Sequence, residues 1–266
     1  REAGIEPDAS RDNLFSQDAD AGMLHLHARI TTPDDMAAAL GMMSEKFGRN
    51  KALCYLADKV LYGKEPYELC CATIDALEPI SGPRMAARQF LAFYTLGFAL
   101  MGRNVRSVYF NDLAGLPNDI ERMRRTGELR DIKRARSMLS DLEAEIEALG
   151  TRACIIAKGM NELVAIADNE PALAANGMEA RMLPSEEPAV ALVHNRSNES
   201  NLIVAVNVSS NDRSVQTDCR AIGFDPKTIF IDRISGRTFR QNAEGQLEIG
   251  LAGYQRLWLT PAFEAS

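Results

Sequence analysis

Histidine, cysteine, positive charge and long apolar runs are all in short supply in this chain, and each shortage removes a class of function. Three histidines in 266 residues, two of them in the strand-like stretch LHLHARI at 24–30, give little from which to build a zinc centre. Five cysteines, Cys54, Cys70, Cys71, Cys154 and Cys219, are an odd number without ligand-like spacing. They argue against a disulfide framework and point to reduced thiols in a cytoplasmic protein. Lysine and arginine number 30 against 37 acids, a net charge of −7, which argues against nucleic acid or an anionic membrane as the main partner. No apolar run approaches the ~18 residues of a membrane-spanning helix. The acidic start REAGIEPDAS lacks the layout of a signal peptide. A Gly-rich phosphate loop, an HExxH helix, an EF-hand loop and a Gly-x-Ser-x-Gly elbow are missing too. No metal and no organic cofactor is implied.

What is present divides in two. Residues 1–22 are polar and weakly periodic, a loose lead-in. Thr31-Thr32-Pro33-Asp34-Asp35 reads as a helix start, with a Thr cap, proline in the first turn and acids on the positive end of the dipole. Gly48 is its stop, and a short mixed element falls within 51–67. Ser81-Gly82-Pro83 opens a second helix, to Met101, whose apolar positions cover most of its circumference. Standing alone, such a helix would expose more apolar surface than a monomer tolerates. A missing N-terminal segment, a partner subunit or a second copy is expected to cover it. A β-branched and aromatic strand is expected over 105–110, a helix from the Asn118-Asp119 cap to Gly127, and two amphipathic helices over 137–149 and 151–167. From Met178 onward the texture changes to short alternating runs at 189–194, 202–208, 228–231, 247–249 and 256–259, separated by Asn/Ser/Gly/Asp clusters. That is an antiparallel all-β module. The expected domains are therefore 23–175, mostly helical, and 176–266.

The most specific stretch is 109–134, YFNDLAGLPNDIERMRRTGELRDIKR, where a strand empties into a polar turn, a charged helix and two arginines four apart. Together with PYELCCATIDAL at 66–77 and GYQRLWLTP at 253–261, it resembles the C-terminal half of glycoside hydrolase family 13. Within that family the likeness is to the subfamily of sucrose phosphorylase and glucosylglycerate phosphorylase. The resemblance implies an α/β plus all-β fold: the last two strands and helices of a (β/α)8 barrel, followed by a small antiparallel β-sandwich. It implies an activity as well, retaining transfer of a glucosyl group from an α-glucoside to phosphate.

Carried across residue by residue, the resemblance gives Arg130, first arginine of RDIKR, the role of holding hydroxyls of the sugar, a task suited to a guanidinium fork. The alternative for Arg130 is a solvent-facing arginine at a helix end. Glu65, Tyr67 and Glu68 match a loop that meets the acceptor sugar and phosphate in turn, although Glu65 is also simply a turn residue beside Pro66. His27 stands where the family has a sugar-binding histidine, with Ala28 in place of its aspartate; a strand with chance histidines reads the same. Asn118 and Asp119 line the pocket or cap the helix, Arg134 braces the loop by ion pairing, and Trp258 and Tyr254 belong to the β core.

The family chemistry needs a nucleophilic Asp and an acid/base Glu about 5 Å apart, and no motif for either occurs here, so no catalytic residue is assigned. Cys70, where the family has asparagine, departs from the pattern too. Three readings stay open: a fragment of a longer phosphorylase-like enzyme, inactive by itself; a naturally short, inactive sugar-binding or partner subunit; or a structural protein that borrowed the architecture.

Overall fold

The computed structural model describes residues 72–77, 80–100, 108–173, 179–198 and 200–262. The helix expected after Thr31, the element within 51–67, the start of the 105–110 strand, and His27, Glu65, Tyr67 and Glu68 lie outside the described residues. The described chain falls into two compact units, residues 72–90 with 108–157 and residues 91–100 with 158–262.

The first unit is helical. It contains the single turn α1 (Thr73–Ala76), the start of α2 (Pro83–Leu100), α3 (Ile120–Thr126), α4 (Leu139–Glu147) and the start of α5 (Arg152–Asn169). Helix α4 turns Leu142 and Ile146, one helical turn apart, toward Ala114, Leu116 and Ala153. Gly115 has φ +61°, and a Cβ there would collide with the Ile156 side chain, so only glycine lets the loop approach α5 this closely. One sequence expectation is corrected. The described end of the expected 105–110 strand is no strand: Val108 and Tyr109 belong to no element and Phe110–Leu113 is a 3₁₀ turn. The Asp112 amide donates to Tyr109 O at 2.9 Å and the Leu116 amide to Asn111 O at 2.9 Å, so local bonds take groups a ladder would use. In α2, no side chain from Met85 to Leu100 is exposed.

The second unit holds two antiparallel sheets. Six strands are ordered β1 (Glu179–Leu183), β2 (Val190–Arg196), β3 (Asn201–Asn207), β8 (Arg256–Ala262), β5 (Ile229–Asp232) and β6 (Thr238–Arg240); β4 (Arg213–Asp218) pairs with β7 (Gln246–Leu251). Leu192, Ile203, Phe230 and Leu257 from the larger sheet and Val215, Leu247 and Ile249 from the smaller enclose one apolar core, with Trp258 and Tyr254 also buried. Strands β2 and β3 are buried on both faces, which is why VALVHN and NLIVAVN read as nearly continuous apolar runs. The second face is tied to helical residues of the same unit. Asn195 Nδ2 donates to Ala99 O at 2.7 Å, satisfying a carbonyl that the end of α2 leaves open, and Arg256 pairs with Glu162 at 2.7 Å. The expected strands are present within a residue or three at each end, and β1, β4 and β6 are additions to them.

Candidate functional site

The expected site loop, residues 110–135, is held by polar atoms with specific partners. Asn111 is buried, and its Nδ2 donates to Lys133 O at 3.1 Å and Ala135 O at 3.2 Å. One side chain thereby pins the start of the loop to its end. Buried Asp112 accepts from Thr73 Oγ1 at 2.8 Å. Asn118 exchanges two bonds with the α1 turn: Ala72 N donates to Asn118 Oδ1 at 2.6 Å, and Asn118 N donates to Asp75 Oδ2 at 2.7 Å. Three hydrogen bonds thus fix the 73–76 turn to the loop, so Thr73 and Asp75 set where the end of the 66–77 segment lies.

Asp119 is the N-cap of α3, its Oδ1 accepting from Arg122 N at 2.8 Å, and Gly127 ends that helix in the left-handed region at φ +69°. The Asp119 amide donates to Ile132 O at 2.7 Å. That bond brings the cap beside the RDIKR tail, which winds as a second 3₁₀ turn, Leu129–Lys133. Ile132 is fully buried against Ile120 and Met123 and anchors this turn to α3.

Asp131 is the electrostatic centre of the loop. Its carboxylate pairs with Arg122 at 3.2 Å and Arg134 at 3.3 Å, with its side chain only 7% exposed. Burial alone would push its pKa up. The hydrogen bond from Thr126 and the guanidinium groups of Arg134 and Arg122 outweigh that, and the carboxyl is held below the ordinary carboxylate range. Arg134 therefore braces the loop by ion pairing. Arg130, one residue before this centre, is half-buried, and its amide donates to Glu128 Oε1 at 3.3 Å. Of the six site residues read from the sequence, Arg130 and Asp119 are described and stand on this one loop.

Sequence reasoning passed over Asn111, Asp112 and Asp75, the residues that fix the loop. The signal was available: Asn-Asp directly after Tyr109-Phe110 breaks the strand pattern and is turn chemistry. Among the described residues no cluster of three or more His, Cys, Asp or Glu could hold a metal ion, and no helix is long and apolar enough to cross a membrane.

No protein-family model matches the chain. It is 26% identical over 208 residues to the glucosylglycerate phosphorylase of Spirochaeta thermophila, covering 75% of this chain and 34% of that protein. To the glucosylglycerate phosphorylase of Allomeiothermus silvanus it is 29% identical over 161 residues, covering 59% of this chain and 28% of that protein. The chain thus spans about a third of the length of the curated relatives it matches. Among solved structures, the α-amylase of Geobacillus thermoleovorans complexed with acarbose aligns with a TM-score of 0.51 at 12% identity, over 85% of this chain and 47% of that one. In fold the chain is similar to part of a glycoside hydrolase family 13 enzyme, helices followed by an antiparallel β domain, and in sequence it resembles the glucosylglycerate phosphorylases.

Proposed function

We propose that this chain supplies the sugar-holding side of a retaining glycoside phosphorylase, one that moves a glucosyl group from an α-glucoside to phosphate. The similarity to two glucosylglycerate phosphorylases carries this reading. The construction of the 110–135 loop supports it, because a loop fixed at both ends by buried polar side chains is a frame that can hold a sugar in one orientation.

Each residue then has a task. Arg130 donates to neighbouring hydroxyls of the glucosyl unit, and Asp131, neutralised by Arg122 and Arg134, keeps that turn in place. Asp119 meets the sugar through Oδ2, since its Oδ1 is taken by the helix cap. His27 contacts the same ring, while Glu65, Tyr67 and Glu68 form the loop that exchanges acceptor for phosphate. The reaction forms a glycosyl-enzyme on a carboxylate, which phosphate then opens with net retention. The nucleophile and the acid/base are not among the residues of this chain, and reduced thiols fit a cytoplasmic setting. The domain division at 175/176 belongs to the same reading, with the sugar loop before it and the β module after it.

Two measurements test this. Calorimetry with glucose, sucrose and glucosylglycerate should show binding that Arg130→Ala weakens by about tenfold or more, the loss of a charged hydrogen-bonding fork. A coupled assay for glucose 1-phosphate should show no turnover by this chain alone. Turnover would contradict the assignment of the carboxylate pair elsewhere, and silence toward all three sugars would contradict the sugar loop. Binding without turnover that persists in the longest form of the protein made in cells would favour the inactive sugar-binding subunit.

A further inference from the structure

The second unit carries a polar pocket that the sugar-loop reading does not use. Strands β1 and β2 pair with Arg181 opposite His194 and Glu179 opposite Arg196. Directly opposed residues share a face, and this face continues the row of Leu183 and Leu192 that fills the sandwich core. The apolar row therefore ends in two arginines, a histidine and a glutamate. The Arg220–Ile222 turn and Gly223 close the other side, leaving a pocket of about 360 Å³. That is the lower end of the size range of small-molecule sites.

Its charge is uneven. Arg181 and Arg196 are exposed and make no ion pair among the described residues, so Glu179 leaves an excess of positive charge. Arg220 is committed elsewhere: it donates to Ala243 O and lies against Gly245. His194 is 7% exposed, its ring sits edge-on to Phe224 at 5.8 Å, and a side-chain hydrogen bond joins it to Asn201. Asn201 stands on β3 opposite Arg196. Among the lining residues three guanidinium groups, of Arg181, Arg196 and Arg220, face one carboxylate, that of Glu179.

The geometry points to a binding site for a small oxyanion, phosphate or carboxylate, held by the forks of Arg181 and Arg196 with His194 at its base. Guanidinium forks match the paired oxygens of either group. The imidazole is kept below its usual pKa by burial first, with Arg196 and Arg181 adding to this and the Asn201 hydrogen bond and Glu179 opposing it. An anion would reverse the arginine effect, so affinity should rise as pH falls. This inference does not rest on the sugar-loop reading.

The test is a titration of the 266-residue chain with inorganic phosphate, with glycerate and with chloride, following the His194 ring resonances by NMR. Saturable shifts with phosphate or glycerate beyond those with chloride are expected, and the stronger of the two identifies the source of the oxyanion. The exposed-site variant R181Q/R196Q should weaken binding by about tenfold or more through loss of the charged forks. Glu179→Gln, which removes the competing carboxylate, should tighten it. Shifts no larger than with chloride, or shifts untouched by R181Q/R196Q, would overturn the proposal.

Discussion

In the antiparallel unit, Leu192, Ile203, Phe230, Leu247 and their neighbours meet in one continuous apolar cluster. Between residues 111 and 135 the described buried side chains are as often polar as apolar: Asn111, Asp112 and Asp131 beside Ala114, Leu116 and Ile132. The sandwich is held by area removed from water, a force without direction that accepts any side chain of about the right volume. The loop is held by atoms that each need one partner at one distance. A scaffold can rely on the first kind of force, whereas a loop that must present a side chain in a set orientation needs the second.

The contrast can be broken by experiment. Phe230→Ala should have the largest effect, about 3–5 kcal/mol of stability in a denaturant titration, because it opens a cavity in a closed apolar core. Asn111→Ala should cost about 1–3 kcal/mol by stranding the Lys133 and Ala135 carbonyls, and its signature is local. Amides of residues 119–134 should lose exchange protection while those of β2 and β3 keep theirs. Equal loss in both regions would mean that the loop has no separate frame.

Acid should separate the two regions next. The Asp131 carboxyl is held below its unfolded-state value, so its stabilisation is present above that value and is lost as pH falls through the lowered one. Exchange in 119–134 should therefore accelerate at acid pH, and Asp131→Asn should remove that dependence. Asp119→Ala should cost about 1 kcal/mol through the lost helix cap, with Asp119→Ser restoring stability. Sugar binding that stays lost in Asp119→Ser despite restored stability would assign the carboxylate to the ligand as well. The smallest effect at neutral pH belongs to Cys219, whose thiol is pushed up to about 12, first by burial and then by Asp218. Its neutral form contributes below the ordinary thiol pKa and loses that contribution as pH rises toward 12. Thiol reagents should leave Cys219 unmodified until the sandwich unfolds.

Much of this was legible in the residues. Asp119 and Gly127 bracket α3 as their chemistry requires, since a carboxylate satisfies the first open amides and glycine accepts a left-handed φ. The runs that became β2, β3, β5, β7 and β8 carry enough apolar or β-branched residues to declare themselves. Strand β4 hid because RSVQTD buries only Val215 and Thr217, and β6 because it has three residues. Strand β1 hid because EARML turns Glu179 and Arg181 toward a pocket rather than toward apolar packing. The expected 105–110 strand failed at its end for the opposite reason: Tyr109 and Phe110 have strand propensity, but local turn bonds of Asn111 and Asp112 took the backbone.

Periodicity, caps and turn residues are decided by neighbours a few positions away, so the helices α3 to α5, the switch to antiparallel strands after Met178 and the burial of Trp258 follow from the chain alone. The tie of Asn111 to Lys133 and Ala135, the docking of the 73–76 turn on Asn118, and the meeting of Arg181 with His194 join residues far apart in sequence. No local pattern encodes such pairs, because a hydrogen bond or a shared face exists only once folding has closed the intervening loop. The order of the elements was written in the sequence, and the polar contacts that hold the 110–135 loop and shape the pocket beside Arg181 were decided by the tertiary structure.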